Sequence, residues 1–157
     1  MSEQQTTGHP IEIKRGCIVD WKLELLVIPV ADVDRAKAFY IEQAGFDLNV
    51  DHRAGDDFRV VQLTPPGSAC SIAVMRTTNA VAGSVKGVHL VVSDLDAARA
   101  DLVARGTDVS EIFHFESGSQ VTGPDPRRSS YGSFFSFSDP DGNGWLVQEV
   151  RRADPGP

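Results

Sequence analysis

The sequence predicts an α+β fold in which two βαβββ modules form a curved mixed sheet, with the helices on its convex side. The main observation is an internal repeat: VIPVADVDRAKAFYIEQAGFDLNV (residues 27–50) resembles HLVVSDLDAARADLVARGTDVSEI (residues 89–112). Each copy passes from a short apolar run through an Asp to a helical apolar stripe that ends at a Gly. Further strand-like runs follow each helix, so duplication of one module explains the chain better than a chance likeness.

Each module is predicted to begin with a buried strand, because its first run is short, apolar and β-branched. These runs are Leu23 to Val30 and Val88 to Val92. Asp32 and Asp94 follow, where a helix N-cap belongs. A carboxylate there accepts free backbone N–H groups and suits the positive end of the helix dipole.

The remaining strands complete the two modules and set their limits. They are predicted at 46–52, 57–64, 69–75, 108–115, 131–138 and 144–150. The segment ESGSQVTGPDPRRSSYG, residues 116–132, is rich in Gly, Pro and Ser and predicts a long surface loop. The full division is a flexible leader at 1–20, a first module at 21–76, a linker at 77–85, a second module at 86–150 and a tail at 151–157.

Composition restricts the class of partner. The net charge of −7 argues against a nucleic-acid binder, which usually carries a basic patch. No apolar run has the length of a membrane span, and the first residues lack the apolar core of a signal peptide. Cys17 and Cys70 are too few for a disulfide framework and are predicted to be reduced. We therefore expect a cytoplasmic protein with no nucleic-acid or membrane partner.

Two short motifs carry a family resemblance. Val30-Ala31-Asp32-Val33-Asp34 and Val92-Ser93-Asp94-Leu95-Asp96 lead into the helices, and Ser138-Asp139-Pro140-Asp141-Gly142-Asn143 precedes the last strand. With the paired modules, they resemble the vicinal oxygen chelate superfamily over about residues 22–150. That group includes glyoxalase I, extradiol dioxygenases, fosfomycin-resistance transferases and bleomycin-resistance binding proteins. The resemblance implies the fold, but one fold hosts several chemistries.

The resemblance also implies where a metal ion would bind. The family's positions on the first strand of each module and on the last strand fall on Leu25, Gly87 and Leu146. None of these side chains has a lone pair to offer a metal. Where glyoxalase I-like members use a further carboxylate from the fourth strand, residues 58–88 contain no Asp, Glu or His. We therefore expect no metal cofactor at the family positions.

Glu149 is the carboxylate nearest to the last of these positions. It lies three residues beyond it, and an odd displacement along a strand turns a side chain to the opposite face. We expect it to point away from the concave side and to pair with a surface arginine such as Arg151 or Arg152. An off-pattern metal site made of His89, His114 and Glu149 remains an alternative, but it would require unusual strand registers.

Side-chain alternation also predicts what lines the concave side, which we call the cup. If the three family positions face inward, their strand neighbours two residues away do so too. The predicted ligand-binding residues are His89, Gln148, Leu25, Val27, Leu146, Phe135 and Tyr131. Tyr131 enters as part of the long loop, where two alternatives stay open: Arg127 and Arg128 hold an anionic group of the ligand, or they lie in solvent. An apolar and aromatic hollow with few polar groups is typical of a small-molecule site.

His89 is the best candidate for a catalytic group, since imidazole exchanges protons near neutral pH. The alternative is a structural histidine bonded to the backbone. His114 is expected at the rim of the cup or on the surface.

Two functions remain open. In the first, the protein resembles bleomycin-resistance proteins and binds a small, partly apolar molecule without a metal; that resemblance implies a homodimer. In the second, it is a lyase, isomerase or dioxygenase of the superfamily, with a displaced metal site or with acid–base chemistry at His89.

Overall fold

The computed structural model describes residues 19–151, so most of the predicted leader and tail, with His9, Cys17 and Arg152, lies outside the described residues. The first module contains β1 Leu25–Pro29, β2 Asp47–Ala54, β3 Phe58–Thr64 and β4 Ser71–Met75. The second contains β5 Val88–Val92, β6 Phe113–Glu116, β7 Ser119–Thr122, β8 Phe134–Ser138 and β9 Gly144–Glu149. Helix α1 is Val33–Ala38, followed by a π-helical turn at Phe39–Gln43, and α2 is Leu95–Ala104.

The strands form two mixed sheets, one from each module. The first has the order β1-β4-β3-β2 and the second the order β5-β9-β8-β6-β7. In each, the first strand of the module pairs in parallel with the last one, and the remaining pairs are antiparallel. This arrangement confirms the α+β fold and the repeated module. Among the described residues, no helix is long and apolar enough to cross a membrane.

The predicted loop at 116–132 contains structure that the sequence reading missed. Strand β7 pairs with β6 in a hairpin, with Glu116 opposite Ser119. The two residues between them, Ser117 and Gly118, both have positive φ, at 49° and 80°. Such a two-residue turn matches the right-handed twist of the strands. A Ser-Gly pair among other small residues indicates a turn, but it does not reveal that strands flank it.

The structure also shortens two predicted strands. Within 108–115, only β6 belongs to the sheet, and Val109 forms an isolated bridge to Phe137. Within 131–138, β8 begins only at Phe134. Tyr131 has a φ of 67°, which is incompatible with a strand.

Both helices begin as predicted. The Asp32 side chain accepts the N–H of Arg35 at 3.1 Å, and the Asp94 side chain accepts the N–H of Ala97 at 3.0 Å. These bonds satisfy N–H groups that the first helical turn leaves free.

One hydrophobic core joins the two modules. It lies between the helices and the sheet faces that they cover, and we call these the helix faces. The core includes Ile28, Phe39, Tyr40, Phe46, Val61, Leu63, Val74, Leu95, Leu102, Phe135, Phe137, Trp145 and Val147. The Tyr40 hydroxyl donates to Asp139 at 2.8 Å and accepts the indole N–H of Trp145 at 2.9 Å. Because Tyr40 belongs to the first module and its partners to the second, this buried pair of bonds links the modules directly.

Candidate functional site

The opposite face of the second sheet is the predicted cup surface, and the strand register places its side chains in rows. His89 lies beside Leu146, which lies beside Ser136. Val91 lies beside Gln148, which lies beside Phe134. Directly paired residues point to the same side of a sheet. We call this surface the second cup face, and it includes His89, Val91, Phe113, Phe115, Gln120, Thr122, Phe134, Ser136, Leu146 and Gln148.

An aromatic cluster dominates one end of this face. The rings of Phe113 and Phe134 stack with their centroids 5.7 Å apart, and Phe115 meets Phe134 edge-on at 5.6 Å. Phe113 and Phe134 are buried, whereas Phe115 is more than half exposed. The cluster therefore offers one open aromatic surface on a rigid base. Sequence reasoning missed it, although Phe-x-Phe at 113–115 already places two rings on one side of a strand.

His89 is exposed on the second cup face. Its Nδ1 lies 2.7 Å from the carbonyl oxygen of Gly87. A carbonyl only accepts, so Nδ1 carries the proton in this contact. In the neutral ring Nε2 then keeps a free lone pair, which is able to accept a hydrogen bond or a proton.

Gln148 and Tyr131 form one edge of the face. The Gln148 amide donates to the carbonyl oxygen of Tyr131 at 3.2 Å, and the Tyr131 N–H donates to the carbonyl oxygen of Glu149 at 2.7 Å. These bonds hold the end of the long loop against β9. They also hold Tyr131 in its positive-φ conformation, which is uncommon for a bulky residue.

The first sheet has a matching surface. Leu25 and Val27 lie beside Ser71 and Ala73 of β4, and Ala73 lies beside Gln62. We call it the first cup face, and it includes Leu25, Val27, Val50, His52, Phe58, Val60, Gln62 and Ala73. Val27, Val50 and Phe58 are exposed. The strand pairs of the first cup face include one acidic side chain, Asp47 opposite Thr64, and neither cup face contains a lysine or an arginine.

Phe135 does not belong to the cup. It pairs with Val147 and is 0% exposed, in the core on the helix face. Phe137, two residues further along the strand, pairs with Trp145 and is also buried. The assumed register of this strand was wrong by one residue, which exchanges the faces. Phe134 and Ser136 occupy the cup positions instead.

Glu149 lies on the helix face and is buried. Its Oε2 accepts the N–H of Leu95 at 3.0 Å and a guanidinium N–H of Arg128 at 2.9 Å, while Oε1 accepts Nε of Arg128 at 3.1 Å. Among the described residues, its arginine partner is therefore Arg128 of the long loop rather than Arg151. The carboxylate binds the first turn of α2, where negative charge is favourable.

Arg128 is consequently not free to bind an anionic ligand from the long loop. Besides its two bonds to Glu149, it donates to Asp96 at 2.8 Å. The hydrogen bonds to Glu149 and Asp96 raise the pKa of the guanidinium further above its already high value. The loop is thus anchored to the start of α2 by charge.

His114 is buried on the helix side of β6 and lies neither at the rim nor on the surface, contrary to expectation. Its Nε2 lies 2.8 Å from Oε1 of Glu116, and its Nδ1 lies 2.7 Å from the carbonyl oxygen of Gly123. The hydrogen bond to Glu116, followed by that to Gly123, raises the pKa of the imidazole. Since both ring nitrogens face acceptors, the protonated ring fits this site best.

The donor set of the cup does not fit the family's metal ion. Leu25, Gly87 and Leu146 offer no side-chain ligand, and the cup-facing residues of β4 are Ser71, Ala73 and Met75. Between residues 19 and 151, no group of three or more His, Cys, Asp or Glu side chains is placed to hold a metal. The proposed off-pattern trio also fails, because His114 and Glu149 lie on the helix side while His89 lies on the cup face.

Comparisons with known proteins give matches of the same fold. A model of the Glyoxalase/Bleomycin resistance protein/Dioxygenase superfamily matches residues 22–147. The solved structure of TnmS3, an antibiotic binding protein from Streptomyces sp. CB03234, is 30% identical with a TM-score of 0.67, covering 85% of this chain and 98% of that one. A glyoxalase/bleomycin resistance protein from the same organism is 32% identical with a TM-score of 0.63, covering 82% and 100%. The uncharacterized protein YetH of Bacillus subtilis (strain 168) is 25% identical over 126 residues, which is 79% of this chain and 94% of YetH.

Proposed function

Because the chain belongs to the Glyoxalase/Bleomycin resistance protein/Dioxygenase superfamily, we propose that it binds a small, partly apolar molecule on its cup faces, without a metal ion at the family positions. The observation that carries the proposal is the second cup face, where the open ring of Phe115 lies on a stacked aromatic pair. An apolar, aromatic surface with few polar groups is the usual composition of a small-molecule site. The similarity to TnmS3, an antibiotic binding protein, supports the same class of ligand.

Three polar groups of this face have a defined hydrogen-bonding capacity. Nε2 of neutral His89 accepts one hydrogen bond, and the Gln148 amide oxygen accepts another while its N–H group is bonded to Tyr131. The hydroxyl of Ser136 donates or accepts. Since the second cup face carries no fixed charge, the ligand that it fits best is uncharged, with hydroxyl or N–H groups at its edges and an aromatic body.

We further propose that the protein is a homodimer. In one chain, the helix faces pack together and the cup faces remain open, with Val91 61% exposed. Contiguous exposed apolar surface of this kind usually marks a binding or association site. A second copy laid over the cup faces would enclose the ligand from both sides and exclude water from it.

A catalytic role is the second candidate, and the free Nε2 of His89 is the observation that favours it. An imidazole in this state is able to take a proton from a bound substrate. In that case His89→Gln would abolish turnover and leave binding nearly intact, whereas in a binder the same substitution changes affinity only.

Ligand titration tests the binding function. A panel of uncharged aromatic compounds and of aliphatic compounds of equal size would be screened by thermal shift, and hits measured by calorimetry. For an aromatic hit, Phe115→Ala should weaken binding by about 10-fold or more, since burying a Phe side chain contributes about 1.5–3 kcal/mol. Val81→Ala is the matched control, because Val81 is exposed but lies outside both cup faces.

Two results would contradict the proposal. One is equal affinity of the wild type and Phe115→Ala for every hit. The other is tight retention of zinc, iron, manganese or nickel after purification without a His tag, combined with its loss on changing His89.

A further inference from the structure

Two residues beside the second cup face have a left-handed backbone, and each presents its carbonyl oxygen to a polar side chain of that face. Gly87 has a φ of 74° and Tyr131 a φ of 67°. The Gly87 oxygen lies 2.7 Å from Nδ1 of His89, and the Tyr131 oxygen lies 3.2 Å from Nε2 of Gln148. The face therefore contains the same arrangement twice: a carbonyl in an uncommon backbone conformation bonds a side chain that is able both to donate and to accept.

At Gly87 this conformation depends on the absence of a side chain. A residue with a Cβ rarely adopts such a φ, although nothing lies within 4 Å of the place that a Cβ would occupy. Gly87 stands at one of the family's metal positions, where it has no side chain to offer a metal. Its backbone instead bonds His89, so that Nδ1 carries the proton and Nε2 is left as an acceptor.

At Tyr131 the conformation is held by the contacts of the long loop. The Tyr131 N–H donates to the Glu149 carbonyl oxygen at 2.7 Å, and Arg128 ties the same loop to the Glu149 carboxylate at 2.9 and 3.1 Å. A positive φ is unfavourable for a bulky residue, and backbone strain of this kind concentrates at ligand sites. Here the strained backbone turns the Tyr131 carbonyl toward Gln148.

The Tyr131 carbonyl also decides which end of the Gln148 amide faces the cup. A carbonyl oxygen accepts but cannot donate, so Nε2 rather than Oε1 has to lie against it. Tyr131 lies on the β8 side of Gln148, because its N–H bonds Glu149 from the chain that leads into β8, whereas His89 lies on β5. Oε1 is therefore directed toward the middle of the face, where no described residue bonds it.

We propose that Gly87 and Tyr131 are positioning residues that fix His89 and Gln148 as acceptors, so that the second cup face selects an aromatic molecule with two hydrogen-bond donors, such as a bicyclic diol. The two acceptors lie diagonally on β5 and β9, which places their Cα atoms about 8 Å apart. A flat two-ring molecule reaches both from hydroxyls at its opposite ends, with its rings toward the aromatic cluster. A molecule with acceptors at these places would leave His89 and Gln148 unpaired. The inference rests on the binding function proposed above, but not on the homodimer.

Nitrogen NMR tests the arrangement before any ligand is added. At about pH 8, where an ordinary imidazole is neutral, the nitrogen shifts of a histidine ring report which nitrogen carries the proton. We expect the His89 ring, assigned with the variant His89→Gln, to carry it on Nδ1. Gly87→Val should turn the carbonyl away, since a β-branched residue rarely adopts this φ, and should give a mixture of the two tautomers. Gly67→Val is the matched control, because Gly67 has a φ of 83° and equally open surroundings, but its carbonyl bonds no described side chain.

Calorimetry with a matched series of probes tests the ligand class. The probe 2,6-dihydroxynaphthalene has two donors, its monomethyl ether has one, and its dimethyl ether has none. Each lost donor should weaken binding about 10-fold, because one acceptor of the site is then left unpaired.

The same series locates the positioning residues. Gly87→Val should reduce the preference for the diol over the dimethyl ether from about 100-fold to about 10-fold, whereas Gly67→Val should keep it. Tyr131→Val should reduce the preference by the same factor through Gln148. Tyr131→Gly, which tolerates the left-handed backbone, should keep the preference while the lost ring weakens every probe alike.

The possible outcomes separate this inference from the binding function. Equal affinity for the diol and the dimethyl ether, a preference for the ether, or binding of other aromatic compounds but of none of these probes would overturn the inference and leave the binding function intact. Binding of no aromatic compound at all would overturn both. A wild-type His89 ring protonated mainly on Nε2 would overturn the inference whatever binds. Equal loss of preference in Gly87→Val and Gly67→Val would do so too, because it would show a general effect of backbone strain.

Discussion

Replacing Glu149 by Ala tests whether this residue of the last strand, β9, stabilises the protein by joining α2 to the long loop. The carboxylate is buried, with its side chain 6% exposed, and it accepts bonds from the N–H of Leu95 and from two nitrogens of Arg128. The substitution leaves Leu95 without its acceptor and Arg128 with Asp96 as its remaining partner. The start of α2 and the long loop would lose the group that joins them.

The expected loss of stability follows from these contacts. Removing one partner of a buried ion pair costs about 3–5 kcal/mol. Because the Arg128 side chain is 33% exposed, water replaces part of the lost interaction, which places the loss near the low end, at about 3 kcal/mol. Glu149→Gln keeps one acceptor oxygen, so it should cost about half as much, roughly 1.5 kcal/mol.

Urea unfolding at one fixed protein concentration measures these losses. With a slope of about 2 kcal/mol per molar urea, Glu149→Ala should lower the midpoint by about 1.5 M. The control is Asp96→Asn, which removes the exposed partner of the same arginine. Since Asp96 is 66% exposed, its loss should cost less than about 1 kcal/mol.

A Glu149→Ala protein as stable as the wild type would refute this reasoning. It would mean that Glu149 is not engaged by Arg128 and Leu95 in solution. If the wild type also bound a metal that Glu149→Ala failed to bind, the carboxylate would have to face the cup, and the register of β9 would be wrong.

Two further predictions concern buried polar groups. Tyr40→Phe should destabilise the protein by about 2 kcal/mol in urea unfolding, because Trp145 and Asp139 each lose a buried hydrogen-bond partner. Glu116 raises the pKa of His114, so the protonated ring contributes stability that is complete below the unfolded pKa of about 6.5 and is lost as pH rises through the folded pKa. An NMR titration should therefore give His114 a pKa above that value, and the variant His114→Asn should lack this decline in stability.

A specific result would contradict each of these two predictions. Unchanged stability of Tyr40→Phe would show that the hydroxyl does not link the two modules. A pKa of His114 at or below its ordinary value would show that the ring is neutral, so that one of its two acceptor contacts does not form in solution.

Much of the fold was predictable because its signals are local. The N-cap roles of Asp32 and Asp94 depend on a few neighbouring residues, and both side chains accept the expected N–H groups. Alternation along β5 and β9 correctly placed His89 and Gln148 on one face and Glu149 on the other. A strand of known register has only two faces, so one assignment decides the rest.

The incorrect prediction for Phe135 has a different cause, which is the pairing register of its strand. Phe135 and Phe134 are adjacent and identical, so composition contains nothing that tells which one faces the core. The structure decides this through the pairing of Phe135 with Val147 and of Phe134 with Gln148. A register error of one residue was enough to exchange a core side chain for a cup side chain.

The sequence by itself determined the repeat, the helix starts and the absence of side-chain donors at the family's metal positions, since each depends on residue identity and short spacing. Only the tertiary structure decided which arginine meets Glu149, because Arg128 is 21 residues away in a loop whose path composition does not specify. It likewise decided that the rings of the second cup face stack together, since they come from separate strands, β6 and β8. Contacts between distant segments depend on how strands pair and helices pack, and many alternative partners satisfy the same local pattern.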